Sequence, residues 1–111
     1  MNPPIQTIRL SKKEVDILSS VKRRTRISQW NILCRMAFCL SCSDPAEPQE
    51  RTVTTTESGV ELEWATFAGA SSELYSALTI RHKMKTNSAI GTPEYFKNLL
   101  YRGIYKLKNA D

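Results

Sequence analysis

The sequence predicts a mainly α-helical fold: a short N-terminal strand, a helix–turn–helix, a small hairpin and two further helices. Three observations predict it. Ser11 opens the tetrapeptide SKKE, a helix-start signature. Lys22 to Cys42, KRRTRISQWNILCRMAFCLSC, joins a cationic cluster to a long apolar stretch with helical periodicity. Thr92, Pro93 and Glu94 then start a stretch whose apolar residues recur every three or four positions.

Each element has its own local reason. Thr7, Ile8, Arg9 and Leu10 alternate polar and apolar, as a short strand does. Ser11 accepts from a free amide of the helix start while Glu14 reaches back, so a first helix is expected over Lys12–Arg24. Val15, Leu18 and Val21 form its apolar stripe, with Ile17 beside it. Lys22, Arg23 and Arg24 in the last turn complement the carbonyl end of the dipole. A turn at Thr25–Ile27 leads to Ser28 as N-cap, and a second helix is expected over Gln29–Cys42. Strand, helix, turn, helix is the ribbon-helix-helix order, in which two chains pair their strands in the DNA major groove.

SDPAEPQE, from Ser43 to Glu50, has prolines and acids and reads as a surface loop. Thr52–Thr56 and Val60–Trp64 are strand-like around Glu57, Ser58 and Gly59, which suggests the hairpin. Val60 onward also reads as a helix start. Val60, Leu62 and Trp64 share one strand face, Glu61 and Glu63 the other. A third helix is expected over Ser72–Lys85, with Leu74, Tyr75, Leu78 and His82 on its stripe. The last is expected over Pro93–Lys108, with Thr92 as cap and Phe96, Leu99, Leu100, Ile104 and Leu107 buried.

The chain has 111 residues, 41% of them apolar and 24% charged, which suits one domain with its own core. Within it, 1–42 is the basic strand–helix–helix part, 43–59 an acidic loop and 60–111 a C-terminal helical part. No apolar run is long enough to span a bilayer, and MNPPIQTIRL lacks the apolar core of a secretory signal. The expected location is the cytoplasm, away from membranes. The formal net charge of +5 is unevenly spread. Residues 1–42 carry eight cations and two anions, 43–80 one cation and seven anions, and 81–111 seven cations and two anions. Two basic thirds flanking an acidic one suit a polyanion, and duplex DNA is the obvious one.

Lysine and arginine bind phosphate by charge and donated hydrogen bonds, arginine in a bidentate way. The first candidates for DNA contact are Arg9, Lys12, Lys13, Lys22, Arg23, Arg24 and Arg26. Arg81, Lys83, Lys85, Lys106 and Lys108 form a second set. Phosphate contacts position a protein without reading sequence, so weak sequence preference and steep salt dependence are expected. Arg35, within an apolar helix, is expected to pair with an acid. Cys34, Cys39 and Cys42 have the C-x4-C-x2-C spacing of some iron–sulfur proteins. A fourth cysteine is lacking, and a helix points Cys39 well away from Cys34, so they read as packing residues. His82 lacks partners for a zinc site or a triad. Glu57, Glu61 and Glu63 read as a solvated strand face rather than a metal site. No cofactor and no catalytic residue is expected. Trp30, Trp64, Tyr75, Tyr95, Phe96, Tyr101 and Tyr105 read mainly as core or subunit-interface residues, although such rings also stack on exposed bases.

The motif resembles the DndE family of DNA phosphorothioation proteins. The resemblance rests on KRRT at Lys22–Thr25, Ile27, WN at Trp30 and Asn31, LCR at Leu33–Arg35 and AFCLS at Ala37–Ser41. Further support comes from IRLS at Ile8–Ser11, ELEWATFAG at Glu61–Gly69, LYSAL at Leu74–Leu78 and YRGI at Tyr101–Ile104. It covers nearly the whole chain. Arg26 departs from the family pattern, where glycine is expected, and a left-handed turn is less easy for arginine. The resemblance implies a small helical homo-oligomer, a tetramer, working with the other Dnd proteins of a modification–restriction system that places sulfur in the DNA backbone. It implies a non-catalytic subunit that binds duplex DNA, nicked duplex by preference. Two alternatives stand beside it: a DNA nickase using a carboxylate–metal site, and a pure assembly protein of the Dnd complex.

Overall fold

A computed structural model describes residues 3–50 and 60–109. The element order is β1 (Thr7–Leu10), α1 (Lys12–Thr25), α2 (Trp30–Cys42), β2 (Val60–Glu63), α3 (Trp64–Ala68), a 3-10 turn (Gly69–Ser71), α4 (Ser72–Thr86) and α5 (Thr92–Lys108). The described residues are mainly helical, with four long helices and one small sheet among them.

The capping box at α1 forms: the Ser11 amide donates to Glu14 Oε1 at 3.2 Å. Glu14 is itself buried, and Tyr105 on α5 donates its hydroxyl to Glu14 Oε2 at 3.2 Å. The first turn of α1 is thereby tied to α5. At α2 the cap is Gln29 rather than Ser28, and at α5 it is Gly91, which moves Thr92 inside the helix ahead of Pro93.

One edge of the N-terminal strand is taken up within the chain. β1 pairs antiparallel with β2 of the same chain, with Ile8 opposite Leu62 and Arg9 opposite Glu61. The hydrogen bonds that a ribbon would offer a second chain are used within the fold along that edge. Ile8 and Leu10 point into the core and are fully buried; Thr7 and Arg9 alternate outward. The first arm of the expected hairpin, Thr52–Thr56, lies outside the described residues. Trp64 ends no strand: it opens α3, and its Nε1 donates to Ser72 Oγ at 2.9 Å.

The core sits where α5 crosses α2, closed by α1, the sheet and α3. Phe38, Trp64, Phe67, Tyr75 and Phe96 form one aromatic cluster, with ring centroids 5.1–6.0 Å apart in tilted or edge-on pairs. The α2–α5 crossing is close enough that a Cβ on Gly103 would stand 1.8 Å from the Ala37 carbonyl oxygen. Only glycine fits there. Arg35 reaches not an acid but the Phe67 and Thr66 carbonyl oxygens, the latter at 3.2 Å. It caps the open C-terminal end of α3.

On α4 the buried residues are Ser76, Thr79 and His82, whereas Leu74 is 55% and Met84 74% exposed. Of the expected stripe, His82 is buried and Tyr75 and Leu78 pack against the core, while Leu74 falls outside it. His82 Nε2 donates to the Asp44 carbonyl oxygen at 2.7 Å, and its Nδ1 shares a hydrogen bond with the Tyr95 hydroxyl at 2.6 Å. This histidine ties α4, α5 and the loop after α2 together. Arg102 fixes the same loop through the Ser41, Asp44 and Ala46 carbonyl oxygens at 2.8, 3.1 and 2.6 Å.

Candidate nucleic-acid interface

The candidate site is the junction of α1 and α2. The last turn of α1 carries Lys22, Arg23 and Arg24. The helix is stopped by Arg26, whose φ of 63° and ψ of 15° are left-handed and whose amide donates to the Lys22 carbonyl oxygen at 2.8 Å. Thr25 locks the turn from the other side: its hydroxyl donates to the Val21 carbonyl oxygen at 2.8 Å and accepts from the Ile27 amide at 3.3 Å. Ile27 packs against the core, and the chain then enters α2 at Trp30.

This reversal folds the cationic end of α1 over the start of α2. Between them lies a cleft of about 460 Å³ lined by Ser19, Lys22, Arg23, Arg26, Ser28 and Trp30. Trp30 is half-buried, packed on the core. Lys22, Arg23 and Arg26 take part in none of the ion pairs among the described residues. Three uncompensated positive charges around one concavity raise the local potential and draw anions.

The other candidates are placed differently. Arg24 turns away from the cleft and donates to the Leu107 carbonyl oxygen at 2.8 Å, capping the end of α5. Arg9 meets Glu61 at 2.6 Å across the sheet, both side chains being more than half exposed, so the pair adds little stability. Lys13 stands 5.9 Å over the Tyr105 ring. Lys12 is exposed at the start of α1, on the same helical face as Ser19 and Arg23 and roughly 16 Å from Arg23 by helix rise. Arg81, Lys83 and Lys85 lie on α4, which packs mainly on α5. Lys106 meets Asp44 at 3.1 Å; Lys108 is exposed. The structure therefore gathers Lys22, Arg23 and Arg26, and leaves the second set on other elements.

Ser19 is the residue that sequence reasoning passed over. Its spacing of three to Lys22 and four to Arg23 on a helix was the available signal. Among the described residues no group of three or more His, Cys, Asp or Glu side chains is arranged to hold a metal. Cys34 is fully buried and its thiol is pushed up to about 12 by that burial. Cys42 is likewise pushed up to about 12, by burial first and by Cys39 next. Cys39 is exposed. Glu61 is engaged by Arg9.

Fold and site together define a class: a small, mainly helical protein whose outward chemistry is a cationic cleft at a helix–helix junction. No helix among the described residues is long and apolar enough to cross a membrane. Residues 7–111 match the family model for DNA sulphur modification protein DndE, and the chain belongs to that family. Its fold is similar to that of a glycine-to-lysine mutant of DndE involved in DNA phosphorothioation, known from a crystal structure. The TM-score is 0.68 at 19% identity, over 96% of this chain and 99% of that one. A search of the curated proteins finds no significant match.

Proposed function

We propose that this chain is a non-catalytic DNA-binding subunit of the DNA phosphorothioation machinery, acting in the cytoplasm on duplex DNA, with nicked duplex preferred. One observation carries the reading: Lys22, Arg23 and Arg26 converge on one cleft without a carboxylate partner among the described residues. Family membership supplies the biological setting. Lys12, on the same face of α1, extends the surface along the backbone. Arg9, Lys13 and Arg24 hold structural partners outside the cleft.

The protein works as a homo-oligomer, a tetramer, docked to the other Dnd proteins. Exposed apolar side chains support this part: Ile32 and Met36 on α2, Leu74, Ile80 and Met84 on α4. A soluble surface carrying several large apolar groups on two helices suits burial against another subunit.

Fluorescence anisotropy over a range of salt concentrations tests the reading. Wild-type protein should lose affinity for duplex steeply with salt. The triple variant Lys22→Ala, Arg23→Ala, Arg26→Ala should bind more weakly, its log K against log salt flattened by about 0.9 per phosphate contact removed. Wild-type affinity that ignores salt, or a triple variant that binds as well as wild type, refutes it.

A further inference from the structure

We infer that the α1–α2 cleft seats a terminal phosphate monoester of a DNA strand, with the end nucleotide's base against Trp30. The inference rests on the DNA-binding reading above and narrows its ligand.

Shape is the first argument. The backbone of an intact duplex is convex, and a ridge of cations meets it well. Here the cations line a concavity of about 460 Å³, within the roughly 300–1,000 Å³ range of small-ligand sites. A single nucleotide is of the size such an open recess takes.

Charge is the second. A backbone diester carries a single negative charge, whereas a phosphate monoester carries nearly two at neutral pH, its second pKa being about 6. Lys22, Arg23 and Arg26 around one point match a dianion better than a monoanion. Asp16, the nearest acid in sequence, is exposed and is not among the lining residues. Hydrogen-bond donors are the third. A monoester offers three terminal oxygens, and Ser19 and Ser28 bring hydroxyls into the cleft beside the arginine forks. Neither hydroxyl has a hydrogen-bond partner among the described residues.

The wall of the cleft is the fourth. Trp30 packs on the core, and no other aromatic ring stacks on it among the described residues. An indole next to a phosphate seat is the arrangement on which an end base stacks, and every base has a face to offer. The backbone gives a fifth. Arg26 holds a left-handed conformation that costs a side-chain-bearing residue energy. The conformation ends α1 as a left-handed cap, and the guanidinium it carries lines the cleft.

The experiment compares four duplexes on the full chain: intact, and broken once with 5′-phosphate, 3′-phosphate or only hydroxyls at the break. Anisotropy gives the affinities, and tryptophan emission reports on Trp30, with Trp30→Phe identifying its share. At least one phosphorylated break should bind about tenfold or more tighter than the hydroxyl break, the scale of charge-assisted hydrogen bonds. Trp30 emission should change with that break alone. In the double variant Arg23→Ala, Arg26→Ala the preference should vanish. Equal affinity for phosphorylated and hydroxyl breaks, with steep salt dependence kept, overturns the inference and leaves DNA binding standing. Salt-independent affinity for every duplex sinks the DNA reading itself. Inorganic phosphate and a free deoxynucleoside monophosphate complete the set: displacement of the phosphorylated duplex by either at micromolar concentration overturns a DNA end as the source.

Discussion

Arg26 offers a test that separates backbone strain from charge. Its φ of 63° lies in the left-handed region, which costs a residue with a Cβ roughly 1–2 kcal/mol relative to glycine. Glycine gives part of that back, about 0.4–1 kcal/mol, through its freer unfolded chain. The variants Arg26→Gly and Arg26→Ala both remove the guanidinium; only the glycine removes the strain. Arg26→Gly should therefore be more stable than Arg26→Ala by about 1 kcal/mol, or about 4 °C in melting temperature for a chain of this length. Thermal unfolding followed by circular dichroism reads the difference. For DNA the two should behave alike: weaker than wild type, with the salt slope reduced by about 0.9. An alanine variant that melts at or above the glycine variant refutes the strain account. A wild-type salt slope in both refutes phosphate contact by Arg26.

Three further outcomes are expected. Gly103→Ala drives a Cβ to 1.8 Å from the Ala37 carbonyl oxygen and 2.4 Å from its carbon; overpacking costs of about 1–3 kcal/mol or more outweigh a helix-propensity gain of about 1. Urea unfolding should show net destabilisation, and unchanged stability would sink the close α2–α5 crossing. The Ala46 amide and then Lys106 hold the Asp44 carboxyl below its ordinary 3.8. Its stabilising contribution is therefore present above that value and lost as pH falls below it; Asp44→Asn should be less stable at neutral pH and show a flatter acid limb. An identical pH profile for both proteins contradicts this. Of the three cysteines, exposed Cys39 should react fast with a disulfide reagent such as DTNB, while Cys34 and Cys42, both pushed up to about 12, react on unfolding; three equally fast thiols would contradict their burial.

Local signals were read well. The Ser11–Glu14 capping box, the end of α2 at Cys42 and the buried stripe of α5 depend on neighbours three or four residues apart. Trp64 and the exposure of Leu74 on α4 were not, because distant partners decide them. Trp64 reads as a strand residue, yet its ring is held by Phe67 and Phe96 and its Nε1 by Ser72, which favours a helical turn. On α4 the expected Tyr75, Leu78 and His82 do face the core, but Leu74 is exposed, and Thr79 is buried beside them with its hydroxyl donating to the Tyr75 carbonyl oxygen. Arg24 reads as one of a cluster of cations; only the position of α5 supplies the Leu107 carbonyl oxygen that draws it away.

By itself the sequence determined the four long helices, the family and the presence of a basic knot beside an apolar helix, because capping, periodicity and charge density are properties of short stretches. Tertiary structure decided which cations act together and what they face. β1 found its partner more than fifty residues away in β2, where Ile8 meets Leu62. The left-handed turn at Arg26 brought Ser19 and Trp30 to one cleft. The physical reason is that direction in space is set by turns and by packing against remote elements, and neither is written in the charge of a residue.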